Sequence, residues 1–331
     1  MRPFCESAEV ECRGYSQPLE RAITDFGADE GFTGSSAKLK EHYGIEIGAS
    51  AIRAITEKHG EAIVRSQESQ KEERELRDRP GVGVLICEID GSMVPTVETG
   101  EPEIGVDRRK TRALGWEEAR LSLVHKPGKM EPIFAATMGE VDQAGEQLFG
   151  LAVRTGATSK TKFHCLGDGA PWIADQVEIQ FGAQANFLID FYHLCEYLSA
   201  AGEKIAGGGK EAWVEEKKEW LKESRWQDVL QSLEPFLESD AGLKQDGPVR
   251  ACYRYIANRP KFFDYKSALE ADLPIGSGEI ESAHRYVIQS RLKISGAWWK
   301  KENAEKMLAL RTLRANRDWD SYWSDFGQIA A

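Results

Sequence analysis

The sequence predicts a mixed α/β protein, in which helices flank a sheet and an all-helical insertion interrupts the later part of the chain. Apolar runs typical of buried strands begin at residue 82, in "GVGVLICEIDG". These runs first follow one another directly and then alternate with helical patterns, which is the order expected of a mixed sheet. From residue 203 to about 270 the periodicity is helical throughout, with tryptophans spaced for burial.

Length and composition allow one large folded unit. The chain has 331 residues, of which 41% are apolar, and no apolar run approaches the ~18–20 residues needed to cross a bilayer. The first residues lack the apolar segment of a signal peptide. We therefore expect a protein of the bacterial cytoplasm that has no membrane partner.

The cysteines predict core thiols in a reducing compartment. Six cysteines lie far apart, none forms a CxxC pair, and the histidines supply no zinc-type spacing. Cys87 and Cys165 fall in apolar strand-like runs, where cysteine is usually a small core residue. We expect no zinc site.

Residues 1–80 form the first predicted region, which is helical. The stretch "SSAKLKEHYGIEIGASAIRAITEKHG" predicts two short helices joined at Tyr43 and Gly44, the second opened by Ser50. Such a pair matches a helix-turn-helix, whose second helix can enter a DNA groove with Ser50 and Arg53 as contacts. The same apolar positions are equally typical of a small bundle. A charged, solvated helix over residues 61–79 then ends at Pro80 and Gly81.

The remaining chain divides into three parts. Residues 81–200 predict the first part of the sheet domain: a strand over residues 82–89 broken by Asp90 and Gly91, then two strands in a meander and a returning helix. Two further strands end at Asp168 and near Asp190, and a helix follows each. Residues 201–272 form the helical insertion, and residues 273–331 return to the domain as C-terminal helices.

Three acidic residues stand at positions where side chains converge. Asp90 and Asp168 each follow an apolar strand, and Glu281 lies at the start of a helix after a Gly-Ser-Gly turn. Hard oxygen ligands in that number suit Mg²⁺ or Mn²⁺, and two such ions can clamp an in-line phosphoryl displacement. Taken singly, each acid has an ordinary explanation as a turn residue or a charge at a helix N-terminus.

A basic segment follows Glu281 in a chain whose net charge is −11. Residues 285–317 contain nine Lys or Arg against two acidic residues, an excess that either grips phosphates or forms a solvated helix face. Trp298 and Trp299 either stack on an unpaired base or anchor the helix in the core. The candidate DNA contacts of this segment are His284, Arg285, Arg291, Lys293, Trp298, Trp299, Lys300 and Lys301.

These residues belong to motifs that run in order along nearly the whole chain. They are "FCESAEVECRGYSQPLERAITDFGADEGF", "KLKEHYGIEIGASAIRAITEKH", "DGSMVPT", "LGDGAPWI", "DFYHLCEYL" and "PIGSGEIESAHRYVIQSRLKISGAWW". In them the chain resembles bacterial insertion-sequence transposases of the DDE type, in particular the ISKra-type family. The resemblance implies a ribonuclease-H-like core with a helical insertion, and metal-dependent DNA cleavage followed by strand transfer.

The resemblance also implies roles for individual residues and partners. Asp90, Asp168 and Glu281 would be the catalytic triad that binds two Mg²⁺ or Mn²⁺ ions, with Asp190 and His193 of "DFYH" as supporting residues. The partners would be terminal inverted repeats and target DNA, bound by a dimer or larger homo-oligomer because two ends must be joined.

The third acid and the reaction itself leave alternatives open. Glu279 and Glu281 point about 200° apart on a helix, so both cannot face the same ions; the family pattern favours Glu281, with Glu279 as a supporting residue. A structure-selective nuclease or resolvase would keep the fold and cut DNA without joining it. A non-catalytic regulator would bind DNA through the helix-turn-helix alone.

Overall fold

The computed structural model describes residues 10–11, 14–69, 76–100, 111–129, 131–239 and 247–330. Cys5, Cys12 and part of the charged stretch before Pro80 lie outside these ranges. The N-terminal region begins with a short antiparallel pair, β1 and β2, and continues in three helices. Their bounds are β1 Val10–Glu11, β2 Tyr15–Ser16, α1 Gln17–Asp29, α2 Phe32–Tyr43 and α3 Ala49–Ser69.

The helix pair predicted around Gly44 is present. Gly44 ends α2 with φ of 67°, a left-handed conformation that glycine adopts without steric cost. Ile47 follows in the turn, and Ile52 and Ile55 of α3 close a small apolar core over α1 and α2. The three helices therefore hold one another through this core.

A five-stranded mixed sheet forms the centre of the molecule, in the order β5-β4-β3-β6-β7. The strands are β3 Val84–Thr99, β4 Arg112–His125, β5 Ile133–Thr137, β6 Lys162–Gly167 and β7 Ala185–Ile189. The pairs β3–β4 and β4–β5 are antiparallel, whereas β3–β6 and β6–β7 are parallel. This mixed α/β arrangement confirms the predicted fold class and is compatible with a ribonuclease-H-like fold.

Helices cover the sheet and link its strands. They are α4 Val141–Arg154, α5 Pro171–Phe181 and α6 Phe191–Ala206 between and after the parallel strands. Phe163 of β6 stacks on Phe181 of α5 with ring centroids 4.0 Å apart, which packs α5 against one face of the sheet. The described part of the segment between Lys210 and Glu270 contains no strand, and its helices are α7 Lys210–Lys222, α8 Trp226–Leu233, α9 Pro248–Ala257 and α10 Tyr265–Glu270.

The C-terminal part lies on the opposite face of the sheet. Helix α11 begins as Gly278–Ala283, continues through a π-helical segment, His284–Gln289, and ends as Ser290–Leu292. It is followed by α12 Lys301–Ala315 and α13 Trp319–Ala330. Ile280 and Val287 of α11 share a core cluster with Leu121 and Leu123 of β4, so α11 packs directly against the sheet.

Candidate functional site

Three aspartates lie at or just beyond the last paired residues of the parallel half of the sheet. The last β3–β6 pair is Glu88 with Leu166, and the last β6–β7 pair is Gly167 with Ile189. Extending this register places Asp90 beside Asp168 and Asp168 beside Asp190. Neighbouring strands are ~4.7–4.9 Å apart, and residues in register point to the same face. Contacts with the start of α11 are made by Asp90, through His284, and by Asp190, through Ser277 in the turn before the helix.

The position of Asp90 differs from the sequence prediction. Asp90 and Gly91 do not end the strand, because they pair with Leu121 and Arg120 of β4 and β3 continues to Thr99. The prediction was wrong because an Asp-Gly pair was interpreted as a turn, whereas the long antiparallel partner holds it extended. Asp90 reaches the sheet edge because β6 ends beside it.

The turn that carries Asp168 is fixed by its own backbone and by the helical insertion. Asp168 Oδ1 accepts a hydrogen bond of 2.8 Å from the backbone N of Ala170. The Tyr255 hydroxyl donates to the carbonyl of Asp168 at 2.6 Å, and Arg259 Nε donates to that of Gly169 at 2.7 Å. Tyr255 and Arg259 come from α9 and the residues after it, so the insertion supports this turn. Sequence reasoning missed both residues, since their local pattern is that of an ordinary helix.

Asp190 is buried and has its hydrogen bonds provided by two different segments. One carboxylate oxygen caps α6 by accepting from the backbone N of His193 at 2.8 Å. The other accepts from the backbone N and the hydroxyl of Ser277 at 2.6 and 2.5 Å. Asp190 thus fastens the Gly-Ser-Gly turn before α11 to the end of β7. His193 is half-buried, and its ring lies edge-on to that of Tyr255 with centroids 5.8 Å apart.

Two residues of β3 hold the first turns of α11. The carboxylate of buried Glu88 accepts a hydrogen bond of 2.8 Å from the backbone N of Ile280. His284 is also buried, and its Nε2 lies 3.0 Å from Oδ2 of Asp90. Ile280 and His284 are one turn apart on the helix, so this stripe of α11 faces the aspartates.

Glu279 and Glu281 flank that stripe on opposite sides. Glu279 Oε2 lies 3.3 Å from Nε2 of buried His125 at the end of β4. Glu281 is exposed, and it is close enough to Glu88 to influence the titration of that carboxyl. The two glutamates therefore occupy different surroundings, with Glu279 directed to β4.

Glu88 is the acidic residue that sequence reasoning missed at this edge. Burial raises its pKa to about 8, with a further contribution from the negative charges of Glu279, Asp190 and Glu281, against the opposing hydrogen bond from Ile280. The alternation of β3 places Glu88 on the same face as Asp90. The sequence signal that could have identified Glu88 is an acidic residue within an otherwise apolar run.

The site suits a divalent cation by the chemistry of its donors. Among the residues that the structure describes, no three His, Cys, Asp or Glu side chains are already gathered as around a metal ion. The donors at this edge are nevertheless carboxylate oxygens, the ligands that Mg²⁺ and Mn²⁺ prefer. The mutual repulsion that helps raise the pKa of Glu88 is also what a bound cation would relieve. The residues present thus fit the expected ions.

The two adjacent tryptophans have different environments. Trp299 is 7% exposed, and its Nε1 donates to the carbonyl of Leu292 at 3.0 Å. Trp298 is 42% exposed, and its ring lies edge-on to that of Trp116 with centroids 6.4 Å apart. Trp299 anchors the loop after α11, whereas Trp298 presents an aromatic surface to solvent.

The candidate DNA contacts are partly gathered in one groove. A cleft of about 780 Å³ separates α2 and α3 from the outer ends of β3 and β4 and from the segment after α11. The candidates that line it are Arg53, Arg291, Trp298, Trp299 and Lys300.

The other candidates lie outside this lining. Lys293 Nζ donates to the Ser92 hydroxyl at 2.8 Å, on β3 just beyond Asp90. Lys301 Nζ lies 3.3 Å from Glu117 of β4. Ser50 and Arg285 are exposed. The cations of the basic segment are therefore distributed between the aspartate edge and the groove.

The fold and the site together define the class of the protein. It is an α/β protein with a mixed sheet, carboxylates at one edge of that sheet, and a covering helix that begins at a Gly-Ser-Gly turn. Residues 13–320 match the model of an uncharacterised protein family, UPF0236, and the chain belongs to that family. It is similar to the UPF0236 protein in the vanSb 3′ region of Streptococcus gallolyticus, at 23% identity over 326 residues. The matched region covers 97% of this chain and 68% of that relative.

Across the ranges that the structure describes, no helix combines the length and the apolar composition that a membrane crossing requires.

Proposed function

We propose that the protein is a DDE-type DNA transposase, which cleaves DNA at the ends of an insertion sequence and transfers the freed strands to a target. The observation that supports this most directly is the parallel register of β3 and β6, which, continued by two residues, sets Asp90 of β3 beside Asp168, the residue after β6, close to the helix that carries Glu281. Carboxylates gathered at one sheet edge are suited to phosphoryl transfer assisted by divalent ions.

In this proposal the residues of the edge divide into two groups. Asp90, Asp168 and Glu281 would hold Mg²⁺ or Mn²⁺, which when bound supplies charge stabilisation and an activated oxygen nucleophile. Asp190 and Glu88 hold the start of α11 in place through Ser277 and Ile280. Glu281 is the third acid in preference to Glu279, because the latter is directed to His125.

The proposal also assigns roles to the cations around the edge. Lys293, next to Ser92 on β3, would bind a phosphate close to the scissile one, and exposed Arg285 would contact the same strand. Charged hydrogen bonds of this kind fix the register of a nucleic acid and carry no sequence information. Specific recognition of the ends would then come from other surfaces, together with a second copy of the chain.

The experiment supplies the purified protein with DNA that carries the inverted repeats flanking its coding region, in Mg²⁺ or Mn²⁺. We expect nicks at the element boundary and joined products with target DNA. Asp168→Asn should reduce cleavage at least a hundredfold, because the substitution removes one of the carboxylates that would hold the ions. Asp264→Asn is the control, since Asp264, like Asp168, accepts a hydrogen bond from a backbone N–H a few residues further on, but at an exposed position of the insertion.

Other outcomes would favour the two other candidate functions. Cleavage of branched DNA in preference to repeat ends, without joined products, would favour a nuclease or resolvase. Tight binding of repeat DNA with no cleavage, unchanged by Asp168→Asn, would favour a regulator. Cleavage at the wild-type rate in both Asp90→Asn and Asp168→Asn would contradict the proposed site.

A further inference from the structure

The groove between the N-terminal helices and the sheet has a positive lining on an acidic protein. Five cations line it against two acids, Glu57 and Glu302, whereas the whole chain has a net charge of −11. The cations are Arg53, Arg112, Arg291, Lys300 and Lys306. A concave surface with this local excess attracts polyanions.

Arg291 provides a buried cation in the wall of the groove. It is 2% exposed, and its guanidinium lies between the rings of Phe32 and Trp299, 4.8 Å from each centroid. Its Nε donates to the carbonyl of Gly27 at 3.1 Å. Its Nη2 is buried and has no hydrogen-bond partner within the described part of the chain.

An unpaired buried guanidinium N–H is costly, because it has lost water and gained no acceptor. Burial lowers the pKa of Arg291 to about 10, with the nearby Arg311 as a second cause, so the side chain remains charged at neutral pH. Phosphate and carboxylate oxygens are the acceptors that match a fixed guanidinium, and a nucleic acid offers phosphates. The rings of Phe32 and Trp299 hold the guanidinium in place before any ligand arrives.

Exposed aromatic and apolar side chains lie at the mouth of the groove. Leu114 of β4 lines it and is 59% exposed, and Trp116, two residues further on, is 57% exposed beside Trp298. Aromatic faces next to a positive groove are typical of proteins that bind single strands, because each unpaired base offers a face for stacking. A fully paired duplex keeps its base faces inside the stack and offers these rings nothing comparable.

We propose that this groove binds an unpaired segment of DNA, with a backbone phosphate on Arg291 and a base on the Trp298–Trp116 pair. The inference rests on the proposed function for the identity of the nucleic acid as DNA. In this proposal α3 forms one wall of the groove, because Arg53 of α3 lines it. This role differs from that of a recognition helix that enters the groove of a DNA duplex.

The test measures fluorescence anisotropy of a labelled 12-nucleotide oligodeoxythymidine with the full chain in EDTA, so that no cleavage is required. We expect Trp298→Ala to weaken binding about tenfold through lost stacking. Arg112→Gln should weaken it about threefold and reduce the salt dependence by about one charge. Arg291→Gln should also weaken binding, and the exposed Arg112 and Trp298 keep the test valid if that variant fails to fold.

The controls change matched positions outside the groove. Lys162 is an exposed first residue of β6, as Arg112 is of β4, so Lys162→Gln removes one charge from an equivalent position. Phe236→Ala removes an exposed ring in the helical insertion. Both control variants should bind the oligonucleotide as the wild type does.

Three results would overturn the inference. They are equal binding by the Trp298→Ala variant and the wild type, a duplex of the same length bound as tightly through the same residues, and oligouridine RNA bound more tightly than the DNA. Cleavage at element ends that survives while the groove variants bind normally would leave the proposed function standing and remove this inference. Binding that depends on the groove residues, without any cleavage, would support this inference and contradict the proposed function.

Discussion

The three aspartates at this edge of the sheet have different roles, and their hydrogen bonds distinguish these roles. Asp190 is buried, and its two oxygens accept from His193 and twice from Ser277. Asp168 and Asp90 are only partly buried, and Asp90 lies against a histidine. We infer that Asp190 is a positioning residue and that Asp90 and Asp168 are the acids available to bind ions.

This difference predicts unequal effects of removing two helix caps. Asp190→Ala should lower the free energy of unfolding by about 2–4 kcal/mol, because it removes an N-cap and leaves the Ser277 donors without their acceptor. Asp264→Ala removes the N-cap of α10. The carboxylate of Asp264 lies near the surface and accepts a hydrogen bond of 3.3 Å from the backbone N of Ser267. That variant should lose about 1 kcal/mol. Urea unfolding of both variants provides the measurement, and equal losses would argue against a special role for Asp190.

The sequence analysis named the three aspartates of this edge as candidates, but it missed Glu88 and the residues that support them. Asp168 and Asp190 each follow an apolar strand and precede a helix, so a local pattern identifies them. Glu88 and Tyr255 act through Ile280 and Asp168, which are far away along the chain. No local pattern reports such contacts, because they depend on how the elements pack. The same limit applies to Arg291: the sequence predicted a DNA contact there, but its burial between the rings of Phe32 and Trp299 depends on how the elements pack.

At the scale of elements, the helical insertion is part of the site. Tyr255 of α9 donates to the Asp168 carbonyl, and Arg259 lies over the Tyr255 ring at 4.4 Å while binding the carbonyl of Gly169. Burial raises the pKa of Tyr255, so its hydroxyl remains a donor across the working pH range. The π-helical segment of α11 is a second such device: π-bulges often occur at functional sites, and this one begins at His284 beside Asp90.

We therefore expect Tyr255→Phe to impair cleavage more than stability. The loss of one hydrogen bond should cost about 1 kcal/mol of unfolding free energy. The Asp168 turn would lose a fixed position, and the cleavage rate should fall roughly tenfold because catalysis depends on placement. Tyr253→Phe on the same helix is the matched control, with cleavage at the wild-type rate. The two measurements are single-turnover cleavage and urea unfolding, and a stability loss without a rate loss would make the role of α9 merely structural.

At the scale of the whole molecule, the N-terminal helices are joined to the C-terminal ones. His59 of α3 is buried, with Nε2 3.0 Å from Glu20 of α1 and Nδ1 2.8 Å from the Tyr322 hydroxyl of α13. Residues 1–80 were predicted as a separate helical region, and nothing in the local pattern indicated this packing. The wall of the proposed DNA-binding groove that α3 forms is therefore held in place by α13.

Helices α3 and α12 pack closely at Gly60 of α3. This packing predicts opposite effects of two glycine substitutions on stability. A Cβ at Gly60 would lie 2.6 Å from the backbone carbonyl oxygen of Lys306 in α12, which cannot yield as a flexible side chain would. Gly60→Ala should therefore lower the free energy of unfolding by about 1–3 kcal/mol, as overpacking does, and should weaken binding of the oligonucleotide by shifting Arg53. At Gly150 of α4 a Cβ meets nothing within 4 Å, so Gly150→Ala should raise stability by about 0.5–1 kcal/mol through helix propensity and leave binding unchanged. Urea unfolding and anisotropy of both variants check the pair. Stabilisation by Gly60→Ala would mean that α3 does not pack on α12 this closely, and the groove would then lose the wall on which its binding depends.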